Sequence, residues 1–271
     1  MAAVTVHGAL LPGRTPPGQD RWAATPHGIV VLDGATATAP EVPPAEHYVD
    51  TLLTESTTRL DTGDDLPSLI TEAIASTADT LGLVPGAAPS STVAILRWTE
   101  TDIEAAVLGD STVILGTADG GVARLHDDRL ASVAPAARRT YQERLRQGHG
   151  YDDRHRALMA TIQRNEVHAR NTAHGYWIAE ADPAAGHHVL TTRLPRTHVR
   201  WAAVATDGAQ RIIDHLGLSW ADVATRDDDE LRDLLDRLHR WEAESDPHGV
   251  ALPRAKRHDD KTIVTWQPDQ R

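Results

Sequence analysis

Asp20, Asp33, Asp110, Asp207 and Asp259 each stand where an apolar run of the chain breaks off. The segments are GQDRWAATPHGIVVLDGAT (18–36), AAVLGDSTVIL (105–115), WAAVATDG (201–208) and HDDKTIVTW (258–266). Short carboxylates at strand ends, far apart in sequence, can assemble an oxygen-lined cation site. Hard divalent ions such as Mg²⁺ and Mn²⁺ take oxygen ligands in near-octahedral geometry and keep several waters. Two such ions about 3.5–4 Å apart can share a bridging carboxylate, acidify a water and clamp a phosphoryl group for in-line attack. In Asp33-Gly34 and Asp207-Gly208 the residue after the acid lacks a Cβ, so the backbone can approach an ion or its waters closely. Any one of these aspartates is equally well a turn residue bonding its own backbone, and the GDS at 109–111 equally a hairpin turn. It is their joint occurrence that points to a metal. Asp260 is expected to orient Asp259 or to be a solvated acid.

Composition narrows the chemistry. A chain of 271 residues suits one large domain or two small ones with a substantial core, and no boundary divides it, so a single domain over 1–271 is expected. The 39 acidic against 27 basic side chains leave a formal charge of −12, which repels a phosphate backbone, so nucleic acid is not an expected partner. With no cysteine there is no disulfide, thiolate nucleophile or Cys-ligated zinc. His149, His155, His168, His174, His187 and His188 lack the spacing of a helical zinc motif and read as scattered surface residues. No stretch approaches the ~18 apolar residues of a membrane span and the start lacks the features of a secretion signal, so no membrane association and a cytoplasmic location are expected.

The elements that must position the acids follow from periodicity. Strands are expected at 4–11, 28–33, 91–98, 103–110, 111–117, 175–182, 187–194, 200–207 and 261–266. An amphipathic helix runs from Asp65 as N-cap to Gly82, with Leu66, Leu69, Ile70, Ala73, Ile74, Ala78 and Leu81 on one face. A weaker one, carrying Tyr48, Val49, Leu52, Leu53 and Leu60, precedes it. The polar stretch 135–170 reads as a surface helix or two, broken at Gly148 and Gly150, with Tyr141, Leu145, Leu158 and Ile162 as its apolar positions. Two more helices are expected at 209–224 and 227–245. Trp98, Trp177, Trp201 and Trp266 lie in expected strands, where core packing explains them. The Arg-rich segment 138–156 is either a solvated helix face or a dock for an acidic or phosphorylated partner. Hairpin-like strand runs and separate helical blocks argue for an antiparallel α+β domain.

The order GQD, LDGAT, SSTV, GDST, TDG and HDDKT resembles the motif order of the metal-dependent protein phosphatases of type 2C, bacterial members included, over essentially the whole chain. In that family the pattern runs NED or NQD, FDGHGG or FDGMGG, GSTA, GDSR, SDG and DNIT. The resemblance implies a four-layer α-β-β-α sandwich with metals in a cleft at one end. It also implies Mn²⁺ or Mg²⁺ as cofactor: two ions, with Asp110 matching a weaker third position. By the same resemblance Asp33 bridges two ions, the Gly34 carbonyl binds one of them, Asp207 and Asp259 complete the carboxylates, and Asp20 is a further ligand in or behind the first shell. The implied activity is hydrolysis of phosphoserine or phosphothreonine in a protein substrate by a metal-bound hydroxide. Asp33 and a phosphate-gripping Arg14 would be its catalytic residues, with a partner kinase opposing it.

Several positions depart from the family pattern. Gln19 stands where many relatives carry a Glu, Ala35 replaces the His or Met after DG, and Thr36 replaces a glycine. Thr112 replaces the Arg of GDSR, and Arg14 lies five residues before Gln19 rather than four. These changes sustain an alternative of another class, a catalytically weak or inactive phosphatase-like regulatory or binding module. A haloacid-dehalogenase-type phosphatase, suggested by VVLDGAT, fails because Val31 occupies the position of the essential nucleophilic Asp.

Overall fold

In the computed structural model, which describes residues 4–13, 18–35 and 43–269, alternation along single strands sets the layers. The strands are β1 (Val4–Leu11), β2 (Asp20–Thr25), β3 (Gly28–Ala35), β4 (Ser90–Ser91), β5 (Val93–Trp98), β6 (Asp102–Leu108), β7 (Thr112–Thr117), β8 (Val122–His126), β9 (Leu190–Pro195), β10 (Val199–Ala205) and β11 (Lys261–Pro268). The helices are α1 (Ala45–Arg59), α2 (Leu66–Leu81), α3 (Pro135–Arg146), α4 (Asp153–Ala169), α5 (Asp207–His215), α6 (Trp220–Ala224) and α7 (Asp228–Arg240).

Successive side chains of a strand point to opposite faces, and in β3 both faces are apolar. Ile29 and Val31 enter a core shared with Trp98, Val204, Val264 and Trp266. Val30 and Leu32 face the other way, against Tyr48 and Leu52 of α1 and Leu69 and Ile74 of α2. A strand buried on both sides needs a layer on each side, and the chain supplies them. One antiparallel sheet has the order β2-β3-β5-β6-β9, with β4 paired to the end of β3, and the other β1-β11-β10-β7-β8. The outer face of the second sheet is covered through Ile212, Ile213, Trp220, Leu231, Leu234, Leu235 and Leu238 of α5 to α7. The result is the expected α+β sandwich of two antiparallel sheets between helices.

Local signals account for many of the element ends. The Asp65 carboxylate accepts from Ser68 N–H at 2.7 Å and Gly82 closes α2 with a left-handed φ of 62°. Gly148 and Gly150, at φ of 82° and 63°, break the surface stretch into α3 and α4, whose small core is Tyr141, Leu145, Leu158 and Ile162. Elsewhere the structure corrects the sequence reading. The segment 175–182 is no strand: it makes single bridges, such as Ser91 to Ala179, while buried Glu180 turns inward to accept from the N–H groups of Gly86 and Ala88. Its apolar alternation serves another surface, Tyr176 and Ile178 packing on Val133. Residues 183–188 form a 3-10 turn begun by Asp182 and Pro183, so β9 starts only at Leu190. The helix expected over 209–224 is two, because Gly217 at φ 64° reverses the chain and Ser219 caps α6. The helix expected over 227–245 is α7, begun by a capping box at Asp227 and Glu230, followed by a π-turn over Trp241–Ser245. Strands β2 and β8 were not anticipated, and β8 is largely exposed.

Ile29 is fully buried between the sheets. Ile29→Ala should therefore lower unfolding stability by about 2–5 kcal/mol. Urea denaturation should show this as a lower midpoint at unchanged slope.

Candidate metal centre

The five aspartates reach one rim of the sandwich from both sheets. Asp20 and Asp33 face each other directly across the β2–β3 pair. Asp207 opens α5 where β10 ends, Asp259 immediately precedes Asp260 and β11, and Asp110 lies in the β6–β7 turn. One cavity wall carries Asp207 and Asp259 together, and an adjoining one Asp110 and Asp207. Arg14 and Thr36 lie outside the described residues.

Asp20 and Asp33 are held by neutral hydroxyls and backbone rather than by counter-charges. Asp20 is fully buried, and its Oδ2 accepts from Thr206 Oγ1 at 2.9 Å and Thr262 Oγ1 at 2.8 Å. Thr206 in turn accepts from Thr262 N–H at 3.0 Å, so β10 and β11 grip Asp20 as a unit. Asp33 is fixed through its backbone. Its N–H donates to Thr92 Oγ1 at 3.2 Å, and its carbonyl accepts from Thr92 N–H at 2.9 Å and Ser91 Oγ at 3.1 Å. Thr92 Oγ1 shares a 2.6 Å hydrogen bond with Ser111 Oγ, which links the SST and GDS segments physically. Asp260 touches Asp259 through its backbone, whose N–H donates to Asp259 Oδ1 at 3.1 Å, and not through its side chain. Its carboxylate accepts from the N–H groups of Gly13 at 2.7 Å, of Asp20 at 3.3 Å and of Gln19, fixing the loop that leads into β2.

The glycines after Asp33 and Asp207 answer to packing. A Cβ on Gly34 would stand 2.7 Å from the Gln19 carbonyl oxygen, and one on Gly208 2.0 Å from that of Asp260. Close approach of backbone to backbone is what requires glycine here.

Crowding dominates the electrostatics. Burial, reinforced by Asp260 and Asp259, pushes the Asp20 carboxyl up from 3.8 to about 8 against the pull of its two threonines. Asp33 is raised well above the carboxylate range by burial and by Asp20, Asp207 and Asp259. Asp207 is raised by burial and by Asp110, while Asp259 and Asp110 are raised chiefly by burial. Carboxylates forced together away from water resist ionisation unless positive charge joins them.

One side chain missed by sequence reasoning supplies such a charge. Lys256 Nζ lies 2.8 Å from Asp259 Oδ1. Partial burial beside the rim works against the half-exposed ammonium, yet Asp259, Asp33 and Asp207 together hold its pKa above the usual lysine range. Arg211, 3.8 Å from Asp207, is a second nearby cation.

The donor set suits a hard divalent cation. It is all oxygen, its members repel one another, and Asp20 Oδ1 is buried with no hydrogen-bond partner. The side chains as they stand are spread wider than one ion's shell. Among the described residues, the group whose ligand atoms all lie within 4.8 Å is instead His239, Glu242 and His258. There Glu242 is already committed, to the buried Lys261 Nζ at 2.7 Å and to Arg254 at 3.5 Å, so that group reads as an ion-pair core.

No protein-family model matches the chain, and no curated protein matches its sequence. Solved structures do match over nearly its full length. The PPM Ser-Thr phosphatase MsPP from Mycobacterium smegmatis, solved with cacodylate, is 17% identical over 98% of both chains with a TM-score of 0.53. The photosystem II phosphatase PBCP is 14% identical over 98% of this chain and 99% of its own, with a TM-score of 0.59. The catalytic domain of the serine threonine protein phosphatase PstP, in complex with two manganese ions, is 15% identical over 97% of both, with a TM-score of 0.51. The chain has the type 2C fold of the PPM-type Ser/Thr phosphatases, and at such identities the likeness speaks for the fold alone.

The raised Asp20 carboxyl has a pH consequence. Above its unfolded value of 3.8 the folded protein keeps a proton that the unfolded chain releases, so the Asp20 contribution to stability falls as pH rises and levels off past about 8. In EDTA the melting temperature should drop between about pH 5 and about pH 8, and Asp20→Asn should flatten that drop. An equally steep profile in the variant would assign the effect to another group.

Proposed function

We infer that the protein is a metal-dependent phosphoprotein phosphatase acting on phosphoserine or phosphothreonine. The observation that carries this reading is the rim itself, where carboxylates from both sheets converge and Asp20 Oδ1 is left buried without a partner. Asp33, Asp207 and Asp259 would hold Mn²⁺ or Mg²⁺, with Asp20 and the Gly34 carbonyl supporting and Asp110 offering a third, weaker position. Bound there, such ions lower the pKa of water and neutralise charge on a transferring phosphoryl group.

The chain's own residues do the rest. Asp33 stands among Asp20, Asp207 and Asp259, whose charges act on it, which supports the reading that it would hold the ions and that its loss would cost most. Thr206, Thr262, Thr92 and Ser111 keep the acids from splaying apart as they charge. A broad cleft of about 830 Å³ runs from Gln19 and Ala35 past Lys256 to the α3–α4 pair, giving a phosphorylated segment room to approach. The substrate is a phosphorylated protein, a kinase is the opposing activity, and the setting is the cytoplasm of a single-domain protein. No helix among the described residues is long and apolar enough to cross a membrane.

A second reading has its own support. The Lys256–Asp259 ion pair, with Gln19 and Ala35 in place of the family's usual residues, suits a regulatory module that keeps the fold without turnover.

Hydrolysis of p-nitrophenyl phosphate separates the two. Turnover should require Mn²⁺ or Mg²⁺, stop in EDTA and fall on the order of 100-fold or more in Asp33→Asn, the scale of losing a charge-stabilising group. Full activity in that variant would remove Asp33 from the mechanism. Phosphopeptide binding without turnover at any metal concentration would establish the regulatory reading.

A further inference from the structure

The loop between the π-turn and β11 is anchored more firmly than a connection requires. The Arg254 guanidinium, nearly buried, bonds the Asp246 carboxylate at 2.6 Å, the Asp246 carbonyl at 2.7 Å and the Arg257 carbonyl at 3.0 Å. The Ala255 carbonyl meets His155 Nε2 of α4 at 2.8 Å, and the Asp259 carbonyl accepts from buried Lys261 Nζ at 2.9 Å. Both neighbours of Lys256 are thus pinned, and its side chain is aimed at the rim, where Nζ reaches Asp259 Oδ1. Lys256 also stands at a boundary. It lines the small cavity shared by Asp207, Gly208 and Asp259 and equally the broad cleft shared by Gln19 and Ala35.

We propose that Lys256 is a tethered cation which occupies the carboxylate rim until divalent ions bind Asp259, and which then grips an oxygen of the substrate's phosphoryl group. This deepens the phosphatase reading and rests on it. Asp259 Oδ1 cannot serve an ion and the ammonium equally, so metal uptake releases Nζ. The released ammonium remains at the mouth of the cleft, where a phosphate monoester dianion must enter. Lysine binds phosphate as a point charge on a flexible stem and so needs no planar fork geometry. The side chain is half exposed and bonds no buried partner, so its loss leaves the core intact.

The two roles give opposite signs in one variant. By calorimetry Lys256→Met should bind Mn²⁺ at least about three-fold more tightly, because an internal competitor is gone. With Mn²⁺ saturating, its affinity for inorganic phosphate should fall at least about tenfold, the effect of losing one charge-assisted hydrogen bond, and Lys256→Arg should recover most of it. A melting curve like the wild type's in EDTA, or one higher, confirms that the variant is folded. Unchanged Mn²⁺ affinity or unchanged phosphate affinity in Lys256→Met, with a wild type that hydrolyses p-nitrophenyl phosphate, overturns the proposal and leaves the phosphatase reading standing. A wild type that takes up no Mn²⁺ while Lys256→Met does would make the ammonium a fixed substitute for the ion, and both would fall.

Discussion

Mutual repulsion among crowded carboxylates, Asp20 buried and the others half-buried, is the constraint around which the rim is built. Left alone, Asp20, Asp33, Asp207 and Asp259 would separate or stay protonated, because burial and neighbouring charge both oppose ionisation. What prevents separation is a set of neutral clamps made by strands whose positions are already fixed by the core. Thr206 and Thr262 can hold Asp20 only because β10 and β11 are paired in register, Val204 opposite Val264. Thr92 and Ser111 can fix the Asp33 backbone only because β5 and β6 bring their two segments side by side. The apolar layers thus bear the electrostatic strain, and the strain is relieved by whatever positive charge enters the rim.

That division of labour explains why some features were legible in the sequence and others were not. An aspartate that ends an apolar strand announces itself by the break in pattern, and all five that the pattern marks reach the same rim. The layers followed from alternation and from helical spacing, as in β3 and α2, because burial imposes period on sequence. Lys256 left no such trace. It sits in SDPHGVALPRAKRHDD, a stretch without period whose shape comes from Arg254 and from a contact to α4 roughly a hundred residues earlier in the chain. The segment 175–182 failed for the complementary reason: Tyr176 and Ile178 alternate because they pack on Val133, and packing without a strand partner mimics a strand.

Asp260 shows how a motif can be read correctly in place while its side chain takes a role that adjacency does not reveal. Adjacency suggested an orienting partner for Asp259, yet the carboxylate turns toward the backbone of Gly13, Gln19 and Asp20. Acid pairs opening a strand can point to opposite sides, so one faces the cleft while the other ties down a neighbouring loop. The same economy appears in Gly34 and Gly208, where lack of a side chain is demanded by neighbouring carbonyls.

Sequence distance gives the rim a place in the order of folding. Asp20 and the threonine that clamps it from β11 are 242 residues apart, and β11 also completes the sheet by pairing with β1 on one side and β10 on the other. Contacts of such separation form late, after the loop-closing cost has been met by the rest of the fold. Without β11 the fold lacks Thr262, and with it one of the two hydroxyls that hold Asp20 Oδ2. Any chemistry of the rim therefore waits on the docking of β11 between β1 and β10, which ties the site to the closure of a whole sheet.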